Sequence, residues 1–197
     1  MVAGVELPID RKASDMEMAE TIFGDGVTIL SANYTGDRDS SGIYTDGNAI
    51  SPGVVPGDTG VMFSTGDLRG FTNNNPFQSN ESSSTTTSSS GPNGVSDFNA
   101  AAGTFTYDAS YLDVTFVPTG NVMTMQFVFA SEEYPEFASS AFQDFFGVWV
   151  NGDLVPLSLG NGDIDPGNIN GGTNGNLFQD NVSDQFNTEM DGLTLTL

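Results

Sequence analysis

The distribution of charge constrains the fold of this chain more than any other feature of its sequence. All four basic residues lie in the first third of the chain, at Arg11, Lys12, Arg38 and Arg69. Residues 70–197 contain 15 acidic residues and neither lysine nor arginine. The formal net charge is -22 at pH 7, and dissolved salt screens only exposed charges separated by more than about 8 Å. Carboxylates that a compact fold brings together therefore need a bound cation.

Calcium is the cation that this composition favours, because it takes about six to eight oxygen ligands from carboxylates, amides and backbone carbonyls. The chain has no cysteine and no histidine, so it lacks the usual ligands of zinc and haem and the usual base of a catalytic triad. The negative charge argues against nucleic acid as a partner. No apolar run reaches the roughly 20 residues of a membrane helix, so membrane insertion is not expected.

Short apolar runs separated by Gly, Asn and Asp turns predict an all-β fold. In the run at residues 111–117, Leu112, Val114 and Phe116 alternate with polar positions, which indicates one inward face. The Asn151-Gly152 step is typical of a β-hairpin. Together these signals favour an antiparallel β-sandwich, jelly-roll-like, with long Gly/Asn/Ser-rich loops. The predicted strands are residues 27–34, 60–64, 111–117, 122–129, 145–150, 154–157 and 193–197.

One short helix is predicted near the N-terminus. Ser14 and Glu17 have the spacing of a capping box, in which each side chain accepts a hydrogen bond from the backbone of the other residue. Apolar residues at Met16, Ala19, Ile22 and Phe23 follow, and Gly24 is a suitable C-terminal cap. The helix should therefore end at residue 23.

The chain is expected to form a single domain over residues 1–197, with a long polar surface loop at residues 73–96. That loop is either a tolerated insertion or a binding loop. The strand at residues 193–197 ends with no turn after it, so we expect that it is either cut short here or leaves an apolar edge that a complementing strand from another chain could cover.

The densest acidic group lies in the loop at residues 131–137, where Pro135 excludes a helix. We expect this loop to bind calcium together with two aspartates that precede neighbouring strands. These acids are alternatively solvated loop residues, Asp108 is alternatively a turn former, and a glycosidase pair at Glu132 or Glu133 is a further alternative. Asp163 and Asp165 favour turn chemistry, because no glutamate follows at the distance of an EF-hand. The predicted metal ligands are Asp108, Glu132, Glu133, Glu136 and Asp144.

Several stretches resemble the choice-of-anchor L domain family, which is found in bacterial secreted and surface proteins and is similar to calcium-dependent peptide-binding modules of large bacterial adhesins. The most specific is Ser-Glu-Glu-Tyr-Pro-Glu-Phe at residues 131–137. The resemblance implies a calcium-stabilised sandwich that serves adhesion or display rather than catalysis. The stretches that carry it are residues 22–27, 58–66, 106–112, 127–137 and 142–150.

The expected function is therefore that of a secreted or cell-surface adhesion domain that is not an enzyme. It would recognise a peptide or glycan ligand on another cell or protein through a calcium-organised loop. The alternative is a structural filament or surface-assembly subunit completed by β-strand addition at its C-terminal edge.

Overall fold

Short antiparallel strands form most of the regular structure in a computed structural model that describes residues 4–77, 86–156 and 163–197. The strands are β1 (Ile9–Asp10), β2 (Val27–Thr35), β3 (Ser41–Tyr44), β4 (Gly60–Phe63), β5 (Tyr111–Pro118), β6 (Ala130–Ser131), β7 (Trp149–Val150), β8 (Asp153–Leu154), β9 (Phe178–Asp180) and β10 (Gly192–Thr194). The helices are α1 (Asp15–Phe23), α2 (Gly47–Ile50) and α3 (Ser96–Ala102). In these described ranges, no helix is long and apolar enough to cross a membrane.

Helix α1 confirms the predicted capping box and both predicted ends. The Ser14 backbone N–H donates to Glu17 Oε2 at 2.8 Å, and the Glu17 N–H donates back to Ser14 Oγ at 3.3 Å. Gly24 follows with φ of +55°, a value that favours glycine. The buried residues are Met18 and Ala19, whereas Met16 and Ile22 are exposed. The predicted apolar stripe was therefore wrong in part, because the strands that the helix contacts, chiefly β2 and β4, cover only one side of it.

The strands pair in four small sheets, and every pairing between strands is antiparallel, as predicted. The longest ladder joins β2 to β5, with a register shift between Ile29 and Ser31. Residues of β5 alternate between half-buried and exposed as the sequence predicts. The arrangement of the sheets as a sandwich or jelly roll stays a prediction. The strand orders are β1-β3-β4, β6-β10-β9, β2-β5 and β7-β8.

Two predicted strands are much shorter than their apolar patterns suggest. Residues 122–129 form no ladder between named strands, and pairing in a sheet starts only at β6. Of residues 145–150, only Trp149 and Val150 form a strand, which pairs across Asn151-Gly152 with β8 as the hairpin signal indicates. Alternation reports which faces of a segment are apolar, but a strand also needs a neighbour that supplies hydrogen bonds. Leu157, predicted in that hairpin, lies outside the described residues.

Two further helices correct the expectation of a single helix. Helix α2 is one turn long and begins after Asp46, whose φ of +59° is in the left-handed region. Helix α3 ends in three alanines, which have the highest helix propensity, and stops at Gly103 with φ of +68°. The alanine run was the signal for α3, but its seven residues, about two turns, have no apolar stripe.

The core consists of two clusters of buried side chains. One packs around β6, β9 and β10, and the other packs between β1, β3 and α2. The first cluster contains Phe129, Tyr134, Ala138, Ile164 and Ile169. The second contains Leu7, Tyr44 and Val55.

A buried polar segment, residues 181–191, connects the two ends of the chain. The Asn187 side chain accepts a hydrogen bond from the Val5 N–H at 3.1 Å and donates to Val5 O and Ile50 O at 2.8 and 2.9 Å. Asn181 donates in the same way to the carbonyls of Thr188 and Met190. Because each buried amide has several partners, the segment remains folded without an apolar core of its own.

The polar loop at residues 73–96 is attached to the domain where the structure describes it; residues 78–85 lie outside the described part. The Ser90 N–H donates to Asp37 Oδ2 at 2.7 Å, and Asp67 N–H donates to Thr87 Oγ1 at 2.7 Å. Gly91 is buried against the backbone of Asp108. Hydrogen bonds therefore attach residues 86–96, although the sequence is too polar for an apolar core contact.

The packing of β10 predicts different effects for two leucines that are two residues apart. Leu193 is fully buried, whereas Leu195 is 41% exposed. Leu193→Ala should lower the free energy of unfolding by about 2–5 kcal/mol, because it removes buried surface and leaves a cavity. Leu195→Ala should lower it by less than about 1 kcal/mol. Urea denaturation of both variants tests this, and equal losses would contradict the described position of β10.

Candidate functional site

Tyr134 anchors the acidic loop, which we define as residues 131–140. Its ring is buried against Phe178, with 4.8 Å between ring centroids. Its hydroxyl donates to Ile169 O at 2.6 Å. Gly192 leaves the space for the ring, since a Cβ there would lie 2.6 Å from it. Burial, and next the charge of Asp165, raise the pKa of Tyr134, so it stays a neutral donor.

The loop itself is a series of turns, as Pro135 predicts. The Glu133 N–H donates to Ser131 Oγ at 3.0 Å, and the Phe137 N–H donates to Glu133 O at 2.9 Å. The peptide bond between Tyr134 and Pro135 is cis. The two hydrogen bonds keep Glu133 close to the end of β6, whereas the side chain of Tyr134 is buried in the core.

Asp144 is the carboxylate around which the candidate site is built. The hydroxyls of Thr65 and Ser131 lie close enough to lower its pKa, so residues that follow β4 and end β6 meet near one side chain. Part of the residue reaches solvent, yet protein atoms surround the carboxylate closely. This burial raises its pKa, and the negative charge of Asp108 raises it further.

Glu133 is the second member of the site. Burial raises its pKa, and the negative charge of Asp144 adds to the effect. Glu133 and Asp144 come from separate segments, so the fold holds two like charges close enough to repel each other. Neither pKa would rise in this way if a cationic side chain neutralised the pair.

Asp108 is the third carboxylate and lies just before β5. Its φ of +52° is in the left-handed region, which agrees with the interpretation as a turn residue. The Ser89 hydroxyl donates to Asp108 Oδ1 at 3.2 Å, and the Asp108 N–H donates to Asn93 Oδ1 at 2.9 Å. The turn and the electrostatic contact with Asp144 therefore coexist.

The other two predicted ligands lie on the same acidic loop. Glu136 is exposed on the acidic loop, and Glu132 is half-buried next to Glu133. Among the side chains that the structure describes, no three acidic residues converge closely enough to form a metal site by themselves. The fold thus brings Asp108, Glu133 and Asp144 into electrostatic contact, and the five-residue ligand set stays a prediction.

The arginine side chains that form ion pairs do so elsewhere. Arg11 and Arg69 both pair with Asp39 and Asp67, at distances that include 3.3 Å from Arg69 to Asp67 and 3.6 Å from Arg11 to Asp67. Within the described ranges, all ion pairs belong to this four-residue cluster. The described ion pairs therefore lie in about the first third of the sequence, whereas most of the carboxylates lie after it.

Asp163 and Asp165 form a turn, as predicted. The Asn168 N–H donates to Asp165 Oδ1 at 2.8 Å and to the Asp165 carbonyl at 3.3 Å, which is typical of a β-turn that begins with aspartate. Burial raises the pKa of Asp165, the backbone bond from Asn168 opposes this, and the charge of Asp163 adds to it. Gly160 to Gly162 of the same polar cluster lie outside the described residues.

A cavity of about 400 Å³ opens beside the carboxylates. Asp144 and Asp165 contribute its polar wall, and Phe145, Phe146 and Val155 contribute apolar surface. Sequence reasoning missed both this cavity and the two hydroxyl groups that lie near Asp144. Ser131 directly precedes the glutamates, which is a weak signal, but nothing in the sequence connects Thr65 to the site.

Comparison with known proteins gives one match. A family model described as Choice-of-anchor L domain matches residues 8–197. No curated protein and no solved structure matches the chain. The match includes β1–β10 and every residue of the candidate site.

The raised pKa of Asp144 predicts a pH dependence in calcium-free protein. A carboxyl whose pKa is higher in the folded state binds its proton more tightly there, so its contribution to stability is present at low pH. That contribution is lost as pH rises through the folded-state pKa. Between about pH 4 and pH 8 the wild type should lose more stability than Asp144→Asn, measured by urea denaturation in EDTA.

Asp113→Asn is the matched control, because it removes the same charge from an exposed position on β5. It should keep the pH dependence of the wild type. An Asp144→Asn protein with the same pH dependence as the wild type would contradict the coupling described above.

Proposed function

The chain belongs to the choice-of-anchor L domain family of bacterial secreted and cell-surface proteins, and we propose that it binds calcium at Glu133 and Asp144 to support recognition of a ligand. The ligand would be a peptide or a glycan on another cell or protein. In this proposal the domain is a binding module and not an enzyme.

One observation carries the calcium proposal. Burial raises the pKa of Asp144 and the negative charge of Asp108 raises it further, while the charge of Asp144 adds to the raised pKa of Glu133. Bringing like charges together in this way costs free energy at neutral pH. A divalent cation at this position would replace repulsion by attraction.

The residues fit calcium in their chemistry. Carboxylates and backbone carbonyls are hard oxygen donors, and Ca²⁺ accepts them in irregular geometry together with water. Glu133 and Asp144 would supply the charged ligands and together balance the two positive charges of the ion, and the ion would also attract the nearby Asp108. Because no three carboxylates converge among the described residues, backbone oxygens and water would supply the remaining ligands. A site with few charged ligands suits the millimolar calcium of extracellular fluids.

The cavity beside Asp144 supports the recognition half of the proposal. Its volume of about 400 Å³ falls in the range of small-ligand pockets. Aromatic walls with a few carboxylates suit a sugar ring or an apolar side chain with a polar end. The bound cation would hold Asp144, which lines one side of this cavity.

A second candidate function is assembly by β-strand addition. It is favoured by residues 122–126, which are exposed and lie outside every described sheet. In this reading the domain joins another chain through backbone hydrogen bonds, and the carboxylates serve only to hold the fold together.

Calcium should stabilise the chelated protein measurably. At a concentration ten times the dissociation constant, binding adds about 1.4 kcal/mol. For a domain of this size that corresponds to an increase in Tm of about 3–6 °C. Differential scanning calorimetry with 10 mM calcium in 150 mM sodium chloride measures the shift, and Mg²⁺ at the same concentration reports nonspecific screening.

Glu133→Gln and Asp144→Asn should abolish the calcium-specific part of the shift, and Asp113→Asn should retain it. No difference between calcium and magnesium in the wild type would overturn the calcium proposal. A shift that survives in both site variants would place the ion elsewhere.

A further inference from the structure

The chain contains five Asn-Gly steps, and one of them differs from the others in its hydrogen bonds. An Asn-Gly step is chemically labile, because glycine has no side chain to prevent its backbone nitrogen from attacking the preceding carboxamide. The fifth step, at Asn161, lies outside the described residues. The four steps within the described ranges begin at Asn93, Asn151, Asn170 and Asn174.

The step at Asn151 has both reacting groups free. Asn151 and Gly152 form the two-residue turn between β7 and β8, and both residues are exposed. Neither the Asn151 carboxamide nor the Gly152 N–H makes a hydrogen bond to any residue that the structure describes. The attacking nitrogen and the carbon that it would attack are therefore adjacent and unrestrained by hydrogen bonds within the described part of the chain.

The step at Asn170 shows the opposite arrangement, because four hydrogen bonds hold its carboxamide. Asn170 Nδ2 donates to Pro166 O at 2.8 Å and to Gly167 O at 3.2 Å. Its Oδ1 accepts hydrogen bonds from the N–H groups of Gly172 and Thr173, both at 2.8 Å. Several of these bonds must break before the carboxamide can turn toward the next nitrogen.

The two remaining described steps are also restrained. The Gly94 N–H, which would attack Asn93, donates instead to Thr106 O at 2.7 Å. Asn174 Nδ2 donates to Asn168 O at 2.8 Å. Among the described Asn-Gly steps, only the one in the hairpin therefore has neither group in a described hydrogen bond.

Ring closure also requires the hairpin turn to open, because the Gly152 nitrogen must move toward the side chain of Asn151. Each strand of the hairpin has two residues. Val150 and Leu154, next to the turn, are 40% and 44% exposed. Since few buried apolar contacts hold the tip of the hairpin, its local opening costs little free energy.

We propose that Asn151 is a site of spontaneous deamidation. The Gly152 nitrogen attacks Cγ of Asn151, the bond from Cγ to the side-chain nitrogen breaks, and that nitrogen leaves as ammonia with the proton that Gly152 gives up. The product is a five-membered succinimide ring. Water opens the ring at either carbonyl and gives aspartate or isoaspartate. No oxidant or reductant takes part.

Deamidation changes both the charge and the geometry of the hairpin. It adds a carboxylate two residues before Asp153. In isoaspartate the main chain runs through the side-chain carbon, so the product no longer fits a two-residue turn. Leu154 and Val155 follow this turn and line the cavity beside Asp144. The modification therefore alters one wall of the cavity, and it is independent of calcium binding.

Incubation of the full chain with EDTA at mildly alkaline pH tests the proposal. Pepsin digestion at acid pH, where deamidation is slow, and mass spectrometry then measure the rate at each Asn-Gly step. In the folded protein Asn151 should react about tenfold faster than Asn170, where several hydrogen bonds must first break. In concentrated urea the two rates should become similar, because the folded contacts are absent.

Asn151→Gln is the control variant, because a glutamine side chain would have to form a six-membered ring, which closes much more slowly. It should show no deamidation at position 151 and unchanged rates at the other steps, with Tm verifying its fold. A rate at Asn151 no higher than that at Asn170 in the folded protein would overturn the proposal. A ratio of these two rates that urea leaves unchanged would also overturn it, since the sequence alone would then set the ratio.

Discussion

Repulsion between carboxylates that have no cationic partner is the constraint on which the rest of this structure depends. The arginines that form described ion pairs are used at Asp39 and Asp67, so the later two thirds of the chain cannot neutralise its own charge. The fold spreads most acids over turns and exposed loops. Asp144 is the exception, because its buried carboxylate lies near two other carboxylates. This group of carboxylates around a buried one distinguishes the candidate site from an ordinary charged surface.

The acidic loop can hold its charges close to Asp144 because uncharged contacts with the core fix the position of the loop. Tyr134 is packed against Phe178 under Gly192, and its hydroxyl is satisfied by a backbone carbonyl. A larger residue at Gly192 would displace the ring. The polar segment at residues 181–191 acts in the same way for the domain as a whole, since its buried amides join the N-terminal and C-terminal parts. Apolar and hydrogen-bonded contacts thus fix charges that would otherwise separate.

Local signals in the sequence predicted local structure well. The capping box at Ser14, the Asn151-Gly152 hairpin, the alternation of β5 and the Asp165 turn depend on residues a few positions apart. The antiparallel, β-rich class follows from the same signals. The absence of residues 122–126 from the described sheets could not be predicted, because an alternating pattern does not show whether a neighbour strand is present. Thr65 next to Asp144 and Asn187 next to Val5 are long-range contacts, which only the fold brings together.

The central claim is that a divalent ion binds between Glu133 and Asp144. A crystal structure of the protein grown with calcium tests it most directly. The account predicts a strong density peak between the two carboxylates, with oxygen atoms about 2.3–2.6 Å away and six to eight ligands in total. Only water at hydrogen-bonding distances beside both side chains would contradict it.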